Sequence, residues 1–210
     1  MTNEPFIVSI LSKGGFFVYP ILACSIVALA IFLKKLFLTK NSNILPNLFL
    51  NKLNSLVSVG KISEAISLCK NSSNVYSKIA ESILSSHSKT RREIEKIAED
   101  EGARQVFRLS QSNELLGSLS NISTLLGLLG TISGMITVFQ VISTQTVVDP
   151  PSLAGGISEA LYTTALGLIV AIPIFVGYKF INNKVSEISN KLQEEALKLI
   201  SELVRSTESK

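Results

Sequence analysis

The chain contains no tryptophan, one histidine, two cysteines and two methionines among its 210 residues. Each scarcity removes a class of chemistry. The single histidine, His87, stands in a polar stretch between serines, with no partner for acid–base or metal work, and is expected on the surface. Cys24 and Cys69 show no CxxC and no Cys/His spacing, so no metal-ligand cluster is expected. Cys24 sits in an apolar run and Cys69 in a polar region, so no disulfide is expected between them, and both read as small apolar fillers. No P-loop, HExxH or GxSxG motif occurs. No cofactor is therefore expected, and neither is an enzyme. Charged residues make up only 17% and aromatics 7%. The net charge of +4 comes without an aromatic-interleaved basic patch, which argues against a nucleic-acid partner.

What the chain has instead is long apolar runs. It is 46% hydrophobic, with a mean hydropathy of +0.39. The apolar residues concentrate near 16–33, 115–142 and 157–181. A hydrocarbon layer of about 30 Å needs roughly 20 helical residues. All three runs meet that length, which predicts an all-α polytopic membrane protein with three transmembrane helices. The first run lacks a basic leader: Glu4 and Lys13 precede it, and Lys34 and Lys35 follow it directly. It reads as a retained anchor, not a cleaved signal.

Basic residues set the direction. Of 20 Lys and Arg, 13 lie from Lys34 to Arg108, six lie from Lys179 onward, and only Lys13 falls elsewhere. The stretch 143–156 has none; its one charge is Asp149. Positive segments stay on the cytoplasmic side. The expected layout is a periplasmic N-terminus at 1–15 and a first transmembrane helix at 16–38. A cytoplasmic helical region follows at 39–114, then a second span at 115–142 and a periplasmic loop at 143–156. A third span at 157–181 and a cytoplasmic amphipathic tail helix at 182–210 complete it.

Within the cytoplasmic region, Pro46 marks a break. Apolar residues then recur at helical spacing over 62–84, interrupted by the turn signal Asn71-Ser72-Ser73-Asn74, which predicts two short helices. From about residue 89 no proline occurs before Pro150. The simplest reading is one helix that continues into the second span, so that long helices extend from the membrane into a cytoplasmic helical domain. At roughly 50 residues it would be about 75 Å long. A break near Ser110 to Asn113 is the alternative. In the tail, Val185, Ile188, Leu192, Ala196, Ile200 and Leu203 repeat at helical spacing, for packing on other helices or, as runner-up, on the lipid surface.

On a helical wheel of the second span, Gly117, Ser120, Thr124, Gly127, Thr131 and Gly134 share one face at spacings of 3 and 4. Small residues mark packing faces in lipid, where no hydrophobic drive joins helices. The stripe is thus a helix seam, and one that also lines a polar path if its hydroxyls are exposed to it. Gly130 belongs to the same glycine-rich run. The third span has a looser small face of Ala160, Thr164, Gly167 and Ala171, with Thr163 beside it. Pro173 should kink that helix and release a carbonyl near Ile169. Glu159 is the only carboxylate in either span. An acid in a membrane is a functional candidate by default. A carboxylate at a helix N-terminus, reached by water, is the structural alternative.

Residues 126–139, LGLLGTISGMITVF, preceded by Thr124, together with residues 149–178, DPPSLAGGISEALYTTALGLIVAIPIFVGY, resemble the MotA/TolQ/ExbB proton channel family, above all its ExbB and TolQ branch. The resemblance implies a homopentamer in the bacterial inner membrane around a single-span ExbD/TolR-like partner that carries a membrane Asp. A TonB/TolA-like protein would receive the force. It implies that Thr131 and Thr164 face the lumen and that Glu159 is the family's membrane glutamate. The expected function is a proton-channel subunit that spends the proton motive force on processes such as TonB-dependent uptake. A TolQ-type role in envelope maintenance, a flagellar-type stator and a non-conducting scaffold are the alternatives. Stators of the flagellar type usually have four spans and longer cytoplasmic regions.

Overall fold

A computed structural model of the chain describes residues 14–39, 44–145 and 149–208. The described residues form helices throughout, with no strand: α1 (Val18–Leu38), α2 (Asn47–Ser58), α3 (Ile62–Lys70), α4 (Val75–Ser85), α5 (Arg91–Thr144) and α6 (Pro150–Glu208). Helices α1, α5 and α6 are long and apolar enough to cross a membrane. The chain is an all-α polytopic membrane protein.

Local chemistry explains the boundaries. Gly60 has φ +75°, and its N–H and that of Lys61 return to the Val57 and Leu56 carbonyls, which closes the end of α2. Asn74 caps α4 by accepting from the Ser77 N–H at 2.7 Å. At the start of α5, Glu93 accepts from both the Thr90 N–H and hydroxyl, at 2.9 and 2.7 Å. Pro150 opens α6, where its missing N–H costs nothing. Helix α5 is unbroken through Ser110–Asn113, and α6 runs on past residue 182. Between 178 and 208 no Gly or Pro occurs to stop it.

The chain divides into two compact units. One comprises residues 1–33 and 113–179. Here α5 and α6 pack antiparallel, and α1 lies on α6 through Val18, Ile21 and Leu166, with Phe32 over Gly177. Its outward side chains are large and apolar: Tyr19, Ile26, Leu125, Phe139, Leu161, Ile172 and Val176 are all exposed. A water-facing surface does not carry so continuous an apolar cover, whereas a lipid-facing one requires it.

The other unit comprises residues 34–112 and 180–210. It has an ordinary apolar core: Leu53, Val57, Tyr76, Ile79, Ile83, Leu84, Ile94, Ile188, Leu192 and Ile200 are fully enclosed. The tail periodicity of 185–203 is thus satisfied by protein, not by a lipid surface. Its exterior carries short-range ion pairs such as Lys191–Glu187 at 2.7 Å and Arg91–Glu95 at 2.9 Å. Tyr76 donates to the Glu195 carbonyl at 2.9 Å. Burial, with Glu81 nearby, pushes the Cys69 thiol up to about 12. Lys35, buried near the end of α1, donates to the Leu109 carbonyl.

Candidate functional site: a hydroxyl-bearing seam between two membrane helices

The seam is built from residues that have almost no side chain. On α5, Leu116, Ser120, Ser123, Gly127, Gly130, Gly134 and Val138 are buried; on α6, Ala160, Thr163, Leu166, Gly167 and Ala171. Both sets repeat at 3 and 4, the period of two helices in left-handed contact. The backbones nearly touch. A Cβ on Gly127 would lie 3.2 Å from the Gly167 Cα, and one on Gly134 would lie 2.7 Å from the Ala160 Cβ. Gly156, toward the start of α6, faces Val138, and a Cβ on it would lie 2.6 Å from the Val138 Cγ2. Even an alanine methyl would press on the facing helix at these crossings.

Close backbone approach brings polar groups across the seam. Ser120 donates to the Ala171 carbonyl at 2.9 Å, two residues before Pro173. Thr164 donates to the Gly127 carbonyl at 2.8 Å, and its oxygen lies 3.0 Å from that of Thr131. Thr131 also lies 2.8 Å from the Leu128 carbonyl. The pair therefore has two arrangements. In one, Thr131 donates to Thr164, which donates to Gly127. In the other, Thr131 donates to Leu128 and leaves its lone pair to a neighbour. A hydroxyl both donates and accepts, so such a pair passes a hydrogen-bond direction along without charge separation.

Both Thr131 and Thr164 are half-buried, at the edge of the seam rather than inside it. Gly117, also half-buried, and Thr124, which is exposed, flank it on the same side of α5. The sequence stripe thus straddles the seam edge: Ser120, Gly127 and Gly134 lie in it, Gly117, Thr124 and Thr131 beside it. Ser123 is the buried hydroxyl that the wheel passed over, bonded to the Leu119 carbonyl at 2.8 Å. Centring the wheel one residue earlier would have found it.

The remaining candidates fall elsewhere. Thr163 is 1% exposed, its methyl over Gly130, where a Cβ would stand 2.3 Å from it. Glu159 is exposed. It lies about 40° around α6 from Thr163 but about 140° from Thr164, so it does not join the hydroxyl pair. Pro173 is exposed, and α6 continues through it. Among the described residues no group of three His, Cys, Asp or Glu comes together to hold a metal.

A membrane helix pair whose seam carries a paired-hydroxyl edge defines a class of protein: a polytopic membrane protein whose spans pack closely and present a polar edge. The comparison with known proteins narrows this. The MotA/TolQ/ExbB proton channel family matches residues 70–194. A protein of Methanothermobacter thermautotrophicus named as a biopolymer transport protein ExbB homolog is 27% identical over 187 residues, 86% of this chain and 64% of the relative. The biopolymer transport protein ExbB of Aquifex aeolicus is 41% identical over 54 residues, 26% of this chain and 36% of the relative. The matched part thus spans less than two thirds of either relative's length. The chain belongs to the MotA/TolQ/ExbB proton channel family, in its ExbB-like branch.

Proposed function

We propose that the chain is the channel subunit of an inner-membrane motor, and that it conducts protons only together with a single-span ExbD/TolR-like partner that supplies a membrane Asp. The observation that carries this is the Thr131–Thr164 pair, two hydroxyls 3.0 Å apart at the half-buried edge of a glycine seam. The spans' only acid, Glu159, lies away from the pair, so the relay at mid-span is neutral and needs a carboxylate from outside this chain. Copies of the chain, five in the family pattern, would turn their Thr edges to a common lumen around the partner's helix. Thr124 extends the same polar edge two turns along.

The distribution of Lys and Arg supports a periplasmic N-terminus and 143–156 loop and a cytoplasmic tail. Glu159 then stands near the periplasmic end, where it tunes proton access or holds subunits together. Work would pass to a TonB/TolA-like protein, in keeping with the biopolymer transport named for the relatives. The glycines favour a second reading, a scaffold, because close packing accounts for Gly127, Gly130, Gly134 and Gly167 without any ion.

Proton flux into vesicles from cells producing the chain with and without the partner separates the two. The motor reading expects partner-dependent flux that falls about tenfold or more in Thr131→Val and Thr164→Val, which keep the shape and lose the hydroxyl. Undiminished flux through the double variant would sink the relay. No flux with the partner present would favour the scaffold.

A further inference from the structure

The turn that leads into α1 meets α6 at two points, one helical turn apart. At the first, the Thr163 hydroxyl lies 2.6 Å from the Gly14 carbonyl oxygen and 2.9 Å from that of Glu159, so its proton is shared between a bond to α1's approach and one within α6. At the second, Gly15 adopts φ +63°, a conformation that side chains resist. A Cβ on it would stand 1.8 Å from the Glu159 Oε1 and 2.8 Å from its Cδ. The carboxyl group thus lies directly across the space that any other residue at position 15 would fill. Thr163 is in turn wedged over Gly130, so α5, α6 and the turn are locked at a single side chain.

A glutamate at the end of a membrane helix has three rotatable bonds, and an unconstrained one spreads over many directions. Contact with the turn removes those directions that lead back over α1. We propose that the Gly14–Gly15 turn is a clamp that aims the Glu159 carboxyl, with Thr163 as its tether and Gly15 as the residue that leaves the carboxyl room. The clamp rests on the reading of Glu159 as part of the proton path. Gly15 and Thr163 are then positioning residues that act through the carboxylate.

The test is a double-mutant cycle on partner-dependent flux in vesicles holding the full complex. The methyl of Gly15→Ala meets the far end of a flexible side chain, so it redirects Glu159 without deleting it. Gly15→Ala should lower flux about tenfold, the scale of a misplaced reacting group. In a Glu159→Gln background the same substitution should change flux by less than about twofold. Thr163→Val should behave like Gly15→Ala, and Thr163→Ser, which keeps the tether, should restore flux to near wild type. Independent, multiplying effects of Gly15→Ala and Glu159→Gln, or equal flux in Thr163→Val and Thr163→Ser, would overturn the clamp. Wild-type flux in Glu159→Gln would remove Glu159 from the path and the clamp with it, while the hydroxyl pair would still stand or fall on Thr131→Val.

Discussion

Replacing Gly167 with alanine tests the seam where an added methyl would come closest to the backbone of the facing helix. The added methyl would lie 2.8 Å from the Ser123 carbonyl oxygen and 2.9 Å from the Gly127 Cα. Both are backbone atoms of α5, which no rotamer change can move. Ordinary contact begins near 3.4 Å, so the helices must part locally by about 0.5 Å. The Thr164 to Gly127 bond, now 2.8 Å, would stretch to about 3.3 Å, beyond the usual O–H···O range. Overpacking of this kind costs about 1–3 kcal/mol. Against it stands the gain of about 0.5–1 kcal/mol for alanine over glycine inside a helix. The net is a loss centred near about 1 kcal/mol, or roughly 2–4 °C in a chain of this size. Gly102→Ala is the control. It makes the same chemical change in α5, but nothing lies within 4 Å of its Cβ, so only the helix gain of about 0.5–1 kcal/mol remains. Melting followed by circular dichroism at 222 nm, in one detergent and at one scan rate, should therefore move in opposite directions for the two variants. A Gly167→Ala protein that melts at or above the wild type would refute the close-contact geometry.

Two further expectations concern the other unit. The Cys69 thiol is fully enclosed and its pKa is pushed up to about 12, so at pH 8 it should react with a thiol reagent ~10³-fold more slowly than the same thiol in denatured protein; comparable rates would contradict the core. The sign follows: the fold prefers the protonated thiol, so this contribution is intact below the unfolded value of about 8.5 and is lost as pH rises toward 12. Gly60→Ala, at φ +75°, should lower the melting temperature through about 1 kcal/mol of left-handed backbone strain; an unchanged midpoint would show that the turn after α2 relaxes freely.

Composition and periodicity alone determined the class of this protein. Three runs of roughly 20 apolar residues have one stable solution in lipid, the helix, because every backbone N–H and C=O must be satisfied within the segment. The change from apolar to amphipathic pattern at 182 reads as a change of element, and it is the structure that runs α6 through it as one helix, with no Gly or Pro between 178 and 208 to interrupt it. Helix α2 is different: its short apolar stripe of Phe49, Leu53 and Val57 was not singled out in the sequence and became visible only against its core partners. The glycine stripe was legible as a packing face, because small residues are what close approach demands.

Rotation was not legible. A wheel cannot tell the centre of a stripe from its edge when Gly, Ser and Thr fill both, and here the difference is one residue. Only the partner helix decided that Ser123 and Thr163 lie inside the seam while Thr131 and Thr164 meet at its rim. The same holds for Gly14 and Gly15, which in the sequence are two glycines before an apolar run. Their contact with Glu159 and Thr163 joins residues about 150 positions apart, and no local pattern encodes an approach fixed by where α1 packs on α6.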